Sequence, residues 1–219
     1  MAGQTLPLTS TGLGERAREV RRGLRLEYLT VGWNMLEAAV SVAAGVTAGS
    51  IALVGFGADS VVEVSSGLVL LWRLRAEARD AGRRERVEQR ALRLVGICFL
   101  ALAAYVVFEA VTSLVRREEP EASGVGIVVA ALSLVVMPLL ARAKRRVAAR
   151  LGSGALAADS RQTDLCAYLS AILLGGLALN ALLGWWWADP AAALLMTPLI
   201  AREGVEALRG ETCGGGSCH

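Results

Sequence analysis

The sequence predicts an all-α membrane protein with six transmembrane helices. Hydrophobic residues make up 54% of the 219-residue chain, and the mean hydropathy is +0.49. Charged residues, at 20% of the chain, avoid several stretches of about 20 residues each. A water-soluble domain of this size carries less apolar sequence than that. The basic residues lie in short blocks between apolar runs, so we do not expect nucleic-acid binding.

Six segments are long and apolar enough to cross a bilayer, which takes roughly 20 residues. In chain order they are 27–48, 51–72, 91–115, 124–141, 157–184 and 188–208. The last is moderately polar because it carries Pro198 and Glu203. We therefore divide the chain into a cytoplasmic N-terminal segment (1–26), a transmembrane transport domain (27–208) and a cytoplasmic tail (209–219).

The distribution of arginine predicts the orientation of these segments. All but two of the 23 basic residues lie before the first segment, between the second and third, between the fourth and fifth, or near the end of the sixth. Loops rich in Lys and Arg stay on the cytoplasmic side. The exceptions are Arg116 and Arg117, which three nearby glutamates outnumber. We expect both termini to be cytoplasmic, in a multi-pass protein of the plasma membrane.

Some carboxylates fall within the apolar segments, where each costs about 2.5–3.5 kcal/mol to insert. The informative ones are Glu37, Asp59, Glu63, Glu109 and Asp164. Acids at this depth indicate function, typically an ion pathway or a proton relay. Glu109 lies near the outer end of its segment, and we assign it a structural role. Glu37 is deeper, and is either a proton relay or an interhelical partner of Asn34 or Ser41.

Asp59 and Glu63 stand four residues apart, so their side chains share one face of the second helix. The helical rise places them about 12 and 18 Å from its outer end, near the midplane. Like charges at this spacing repel each other unless a cation bridges them or one carboxylate keeps its proton. A proton-coupled cation carrier switches between those two states. The pair therefore predicts a metal site.

Asp164 has two interpretations that the spacing does not separate. If the fifth helix begins near Gly154, Asp164 lies about 15 Å inside, at the depth of the acidic pair. Residues 165–187 are by themselves long enough to cross the bilayer, however, which would place Asp164 at the boundary as a helix cap.

Three stretches of the chain resemble the membrane domain of the cation diffusion facilitators. They are residues 49–63, which include Asp59 and Glu63, Phe108-Glu109-Ala-Val, and Trp187-Ala-Asp189-Pro190. The resemblance covers roughly residues 27–208. It implies a homodimer of six-helix subunits that exports zinc, or a related divalent ion, from the cytoplasm in exchange for protons.

The resemblance also implies a tetrahedral metal site with an acid-xxx-acid pair on helix two and a His-xxx-Asp pair on helix five. Asp59 and Glu63 match the first pair, with Glu in place of the commoner Asp, and Asp164 matches the last position. The position four before Asp164 is Ser160 where the family usually has His, and no apolar segment contains a histidine.

The missing histidine leaves the transported metal open. All-oxygen sites suit harder ions such as manganese, whereas zinc favours nitrogen or sulfur, and cobalt, iron and cadmium are further candidates. Asp159, Gln162 or Cys166 could complete the ligand set. Cys166 is only two residues from Asp164, however, and we expect it to face elsewhere on the helix.

The family's usual soluble cytoplasmic domain does not follow the last segment. In its place a glycine-hinged tail carries Cys213, Cys218 and His219, which either capture a metal or form an unstructured polar end. The alternative function is therefore a membrane-anchored metal sensor or scaffold. Gly55-x-Gly57-x-Asp59 resembles the signature of intramembrane aspartyl proteases, but its spacing is off by one, and we do not expect an enzyme.

Ser160→His tests the assignment of Ser160 and Asp164 to one ligand pair. An imidazole added one turn from Asp164 supplies a nitrogen ligand, so uptake should shift toward zinc and away from manganese. The measurement is the ratio of zinc to manganese uptake into proteoliposomes. An unchanged ratio would mean that the assigned register of helix five is wrong and that Asp159 or Gln162 is the partner.

Overall fold

The computed structural model describes residues 10–75 and 81–209, which form six α-helices. They are α1 (Ser10–Ala48), α2 (Ile51–Arg75), α3 (Ala81–Arg116), α4 (Gly124–Leu151), α5 (Gly154–Leu183) and α6 (Ala188–Arg209). The first five are long and apolar enough to cross a membrane, whereas α6 contains the more polar sequence around Glu203. The predicted all-α class and its six helices are confirmed.

The helices are longer than the apolar segments that predict them. Helix α1 begins at Ser10, α3 begins at Ala81 and α4 ends at Leu151, each about ten residues or more beyond the predicted boundary. Hydropathy marks the part of a helix that suits a bilayer, but Arg and Ala are strong helix formers and continue the helix past it. We call the end of the bundle that carries these extensions the arginine-rich end.

Large apolar side chains face outward on every helix. Examples are Met35, Leu68, Val115, Leu139, Leu182 and Leu195, all of them exposed. In water such a surface would aggregate, whereas in a bilayer it contacts lipid. The outer surface therefore agrees with a multi-pass membrane protein.

Helix α2 lies at the centre of the bundle, in contact with α1, α3, α5 and α6. Its first turn is held by Asp189, which is buried at the start of α6. The Asp189 carboxylate accepts hydrogen bonds from Ser50 Oγ (2.5 Å), the Ile51 amide (2.9 Å) and the Ala52 amide (3.4 Å). The carboxylate satisfies amides that the first turn of a helix leaves free, and it complements the helix dipole. Asp189 thus fixes α2 against α6.

Glycine allows α1 and α2 to approach closely beside the acidic pair. A Cβ atom added to Gly57 would lie 2.9 Å from the backbone nitrogen of Val42 on α1, which is closer than real atoms pack. Any larger residue at Gly57 would therefore push the helices apart. The side chains of α1 can consequently reach the residues around Asp59.

The only lysine of the chain, Lys144, is buried within α4 and joins three helices near the arginine-rich end. Its Nζ lies 2.9 Å from Glu27 Oε2 on α1 and 2.6 Å from Asp159 Oδ2 on α5. It also lies 3.5 Å from the Thr163 hydroxyl, one turn after Asp159. Buried charges are stable only when paired in this way. The contacts fix the rotation of α5 about its own axis.

Lys144→Met should destabilise the bundle strongly, because it leaves the buried Glu27 and the half-buried Asp159 without a cation. Breaking a buried pair costs about 3–5 kcal/mol, so the thermal midpoint of the detergent-purified protein should fall by roughly 10 °C. Arg145→Met is the matched control. Arg145 is one residue later in α4 and pairs with Asp164 at a partly exposed position, where an ion pair contributes about 0–1 kcal/mol. Equal shifts for both variants would contradict the structural role of Lys144.

Candidate metal centre

Two acids of α2 and one thiol of α5 form the candidate metal centre. Asp59 and Glu63 lie one turn apart on α2, and Cys166 faces them from α5. All three side chains are buried, and one ligand atom from each lies within 4.8 Å of the other two. In a tetrahedral zinc site the ligand atoms are about 3.4–3.8 Å apart, as the bond lengths require. A shift of about 1 Å would thus let the three residues hold one ion.

The hydrogen bonds of the centre leave oxygen atoms free to bind a cation. Glu63 Oε2 accepts from Asn34 Nδ2 at 2.7 Å and from Cys166 Sγ at 2.8 Å. Asp59 Oδ1 and Asn34 Oδ1 are buried and have no hydrogen-bond partner within the described part of the chain. Buried acceptors without partners are rare, because each loses its hydration without compensation. One of these two free oxygens belongs to the predicted acidic pair, and both suit a positive ion.

The side chains of α1 form a second polar layer around Asp59 and Glu63. Glu37 Oε1 accepts from Ser60 Oγ of α2 at 2.7 Å, and Glu37 Oε2 accepts from Trp33 Nε1 at 2.9 Å. The same indole nitrogen lies 2.9 Å from Ser133 Oγ of α4. Glu37 is thus an interhelical partner, although it bonds Ser60 and Trp33 and not the Asn34 or Ser41 that the sequence suggested.

The carboxylates of the centre carry no compensating positive charge among residues 10–75 and 81–209. Within these ranges, no ion pair involves Glu37, Asp59 or Glu63. An unpaired carboxylate in an apolar interior must bind a proton or a cation. The centre can therefore exchange protons for a metal ion at the same oxygen atoms.

The structure places the two predicted α5 ligands away from this group. Asp164 pairs with Arg145 of α4 on a partly exposed face. Ser160 is buried, and its hydroxyl donates to the Ala157 carbonyl of its own helix at 2.7 Å. Asp159, an alternative ligand, is bound to Lys144. Of the residues considered on α5, Cys166 is the one that contacts Glu63.

Asn34 is the residue of the centre that the sequence does not assign to it. Cys166 is one of the three residues that could complete the ligand set, but its spacing of two from Asp164 predicts that it faces elsewhere if Asp164 is a ligand. The signal for Cys166 was its place among apolar residues on α5, at the depth of the acidic pair. Asn34 gave a similar signal, as an amide in an apolar segment. Neither signal identifies the residue that the side chain contacts, because that depends on how each helix is rotated about its own axis.

The chemistry of the three ligands differs from the all-oxygen set that the missing histidine suggested. A thiolate is a soft ligand that favours zinc, cadmium or cobalt, whereas carboxylates alone suit manganese or magnesium. Two carboxylates and one thiolate match three of the four positions of a zinc site. The candidate tail ligands Cys213, Cys218 and His219 lie outside the described residues.

Comparison with known proteins identifies one family model. The model of the cation efflux transmembrane domain matches residues 28–211. Transmembrane protein 163 of Xenopus laevis is 26% identical over 190 residues, which is 86% of this chain and 66% of that protein. An uncharacterized transporter of Synechocystis sp. is 26% identical over 171 residues, 76% of this chain and 55% of that protein. The chain thus spans between half and two thirds of the relatives it matches.

Asn34→Ala should weaken zinc binding about 10- to 100-fold, the usual effect of removing a side chain that orients a ligand. The Asn34 amide holds Glu63 in place but is not needed for the helix itself. Asn180→Ala is the control, since Asn180 bonds the Pro120 carbonyl near the other end of α5. Competition with a zinc indicator, in protein whose Cys213 and Cys218 are replaced by serine, measures the affinity. Equal affinities for the two variants would contradict the role of Asn34.

Proposed function

Because the chain belongs to the cation efflux family, whose members are transporters and not enzymes, we propose that it exports a zinc-like divalent cation in exchange for protons. The observation that carries the proposal is the buried group of Asp59, Glu63 and Cys166, which has ligand atoms but no ion pair with a cationic side chain of residues 10–75 and 81–209. This group is the substrate site of the proposed transporter.

The thiol of Cys166 supports zinc, cadmium or cobalt over manganese as the substrate class. Sulfur binds zinc at about 2.3 Å and contributes little to sites for manganese. Two carboxylates and a thiolate carry three negative charges, so a divalent ion compensates most of the charge that burial makes costly. A fourth ligand can come from water or from the nearby Asn34 Oδ1, which accepts no hydrogen bond from the residues that the structure describes.

Proton exchange follows from the same ligands. Each ligand must lose its proton before it binds the metal, and a carboxylate left without metal in an apolar interior favours the protonated form. Binding of the ion on one side of the membrane therefore releases protons there, and loss of the ion on the other side takes protons up. Metal affinity should fall as the pH falls, because protons compete for the same oxygens.

The proposals for the direction of transport and for a homodimer rest on the sequence. The arginine-rich end carries most of the basic residues, which supports a cytoplasmic location for that end and export toward the other. The family resemblance supports a homodimer in the plasma membrane. A sensor that acts through Cys213, Cys218 and His219 is the alternative. Replacing these three residues by serine would abolish sensing but leave a carrier active.

Cys166→Ser provides the sharpest test of the proposed substrate site. Loss of the soft ligand should lower the ratio of zinc to manganese uptake about tenfold or more, because oxygen ligands discriminate less against manganese. Uptake into proteoliposomes with a pH-sensitive dye inside measures metal and proton movement together. Cys98→Ser is the matched control, because Cys98 is an exposed thiol on α3. An unchanged ratio in Cys166→Ser would remove the thiol from the site.

Two further variants separate the competing ligands of α5 in the same assay. Asp59→Asn should abolish uptake of every ion, because it removes a carboxylate from the centre. Asp164→Asn should leave uptake within about twofold of the wild type if Asp164 only pairs with Arg145 at a partly exposed position. Loss of uptake in Asp164→Asn together with normal uptake in Cys166→Ser would favour the ligand pair of Ser160 and Asp164.

A further inference from the structure

Four arginines lie on the outer surface at the arginine-rich end of the bundle, two on each of two neighbouring helices. Their spacing, three residues on α1 and four on α4, places each pair on one face of its helix. Helices α1 and α4 contact each other. All four side chains are exposed, and we call them the arginine patch: Arg22 and Arg25 on α1, Arg142 and Arg146 on α4.

The two halves of the arginine patch lie at a similar level along the bundle. A Cβ atom added to Gly23 of α1 would lie 3.6 Å from Cγ1 of Val147 on α4. These two residues directly follow Arg22 and Arg146, so the two arginines lie within about one turn of each other along the bundle. Val147 also belongs to a small apolar core shared by α1, α4 and α5. Packed side chains thus hold the two helices together beneath the patch.

The exposed face of each helix changes from apolar to basic at the arginine patch. On α1, Leu29 is exposed, and Arg25 lies four residues closer to the arginine-rich end. On α4, Leu139 is exposed, and Arg142 lies three residues closer to that end. Each step covers roughly 5–6 Å along the helix. The headgroup layer outside the hydrocarbon core is about 5–7 Å thick. Arg25 and Arg142 therefore lie level with the phosphates of lipids that contact the two leucines.

The arginine patch differs from the neighbouring arginines of α4 in lacking acidic partners. Arg145 and Arg150 pair with Asp164 and Glu19, respectively. The four arginines of the patch form no ion pair with any side chain that the structure describes. The tendency of basic residues to stay on one side of a membrane sets their number and not the direction in which they point. Here the unpaired arginines point outward, so their charge is open to an anion outside the protein.

The chemistry of the patch selects an anion that is also apolar. A guanidinium group binds a phosphate through two parallel hydrogen bonds. Basic residues near a bilayer surface attract lipids that carry net negative charge, whereas a zwitterionic headgroup has none. Leu29 and Leu139 lie where the acyl chains of the same lipids pass. A water-soluble anion would match the arginines but not the leucines.

We propose that the arginine patch binds an anionic phospholipid of the leaflet at the arginine-rich end, with phosphatidylglycerol as the simplest example. The proposal concerns the outer surface of the bundle and does not depend on which ion the chain transports. Because the patch spans α1 and α4, a bound lipid connects both helices and stabilises the folded protein.

Native mass spectrometry of the detergent-purified chain tests the proposal, because it counts bound lipids directly. Phosphatidylglycerol and phosphatidylcholine with the same acyl chains are titrated separately. We expect the wild type to bind phosphatidylglycerol about tenfold more tightly. Arg142→Gln combined with Arg146→Gln should lower that preference below about threefold. Arg22→Gln combined with Arg25→Gln should have the same effect, because both helices contact the lipid.

Arg116→Gln combined with Arg117→Gln is the matched control. Both residues are exposed at the opposite end of the bundle, and their loss changes the net charge by the same amount. This variant should keep the tenfold preference. Arg142→Lys combined with Arg146→Lys keeps the charge of the patch and should keep most of the preference, whereas misfolding caused by the loss of these arginines would affect it as well.

Three results would overturn the proposal. The first is equal affinity of the wild type for the two lipids. The second is an equal loss of preference in the patch variants and in the control at the opposite end, since the effect would then reflect net charge alone. The third is displacement of phosphatidylglycerol by millimolar glycerol 3-phosphate, which carries the phosphate without acyl chains and would identify a site for soluble anions.

Discussion

The structure depends on negative charge that is buried at the centre of the bundle and forms no ion pair with the described residues. Glu63 accepts from Asn34, and Glu37 accepts from Ser60, the residue that follows Asp59. No arginine or lysine of the described residues forms an ion pair with these three carboxylates. Such a group is stable only with protons or a metal ion bound. The contrast with Lys144, which neutralises Glu27 and Asp159 a few turns away, shows that the same bundle does balance charge elsewhere.

The fold places this charge on the helix that has the most neighbours. Helix α2 contacts α1, α3, α5 and α6, so ligands from several helices can reach Asp59 and Glu63. Asp189 fixes the start of α2, and Gly57 lets α1 approach beside Asp59. Asn34 of α1 and Cys166 of α5 then both donate to Glu63 Oε2. A motion that shifts α5 relative to α2 would change the contact between Cys166 and Glu63.

The sequence predicts the six helices and the acidic pair because both depend on local properties. The length of each apolar segment predicts a helix. A spacing of four residues places Asp59 and Glu63 on one face of the helix whatever surrounds them. The ligand on α5 could not be predicted in this way. It depends on how α5 is rotated about its axis, which the contacts of Lys144 with Asp159 and Thr163 determine. With that rotation, Cys166 faces Glu63, and Asp164 faces Arg145.

X-ray absorption at the zinc edge tests the central claim most directly, because it counts the atoms bound to the metal. The protein is loaded with one zinc ion per chain after Cys213 and Cys218 have been replaced by serine. We predict one sulfur at about 2.3 Å together with oxygen ligands at about 2.0–2.2 Å, and loss of the sulfur in Cys166→Ser. A shell of oxygen or nitrogen alone in protein that retains Cys166 would contradict the assignment of Asp59, Glu63 and Cys166 as the metal centre.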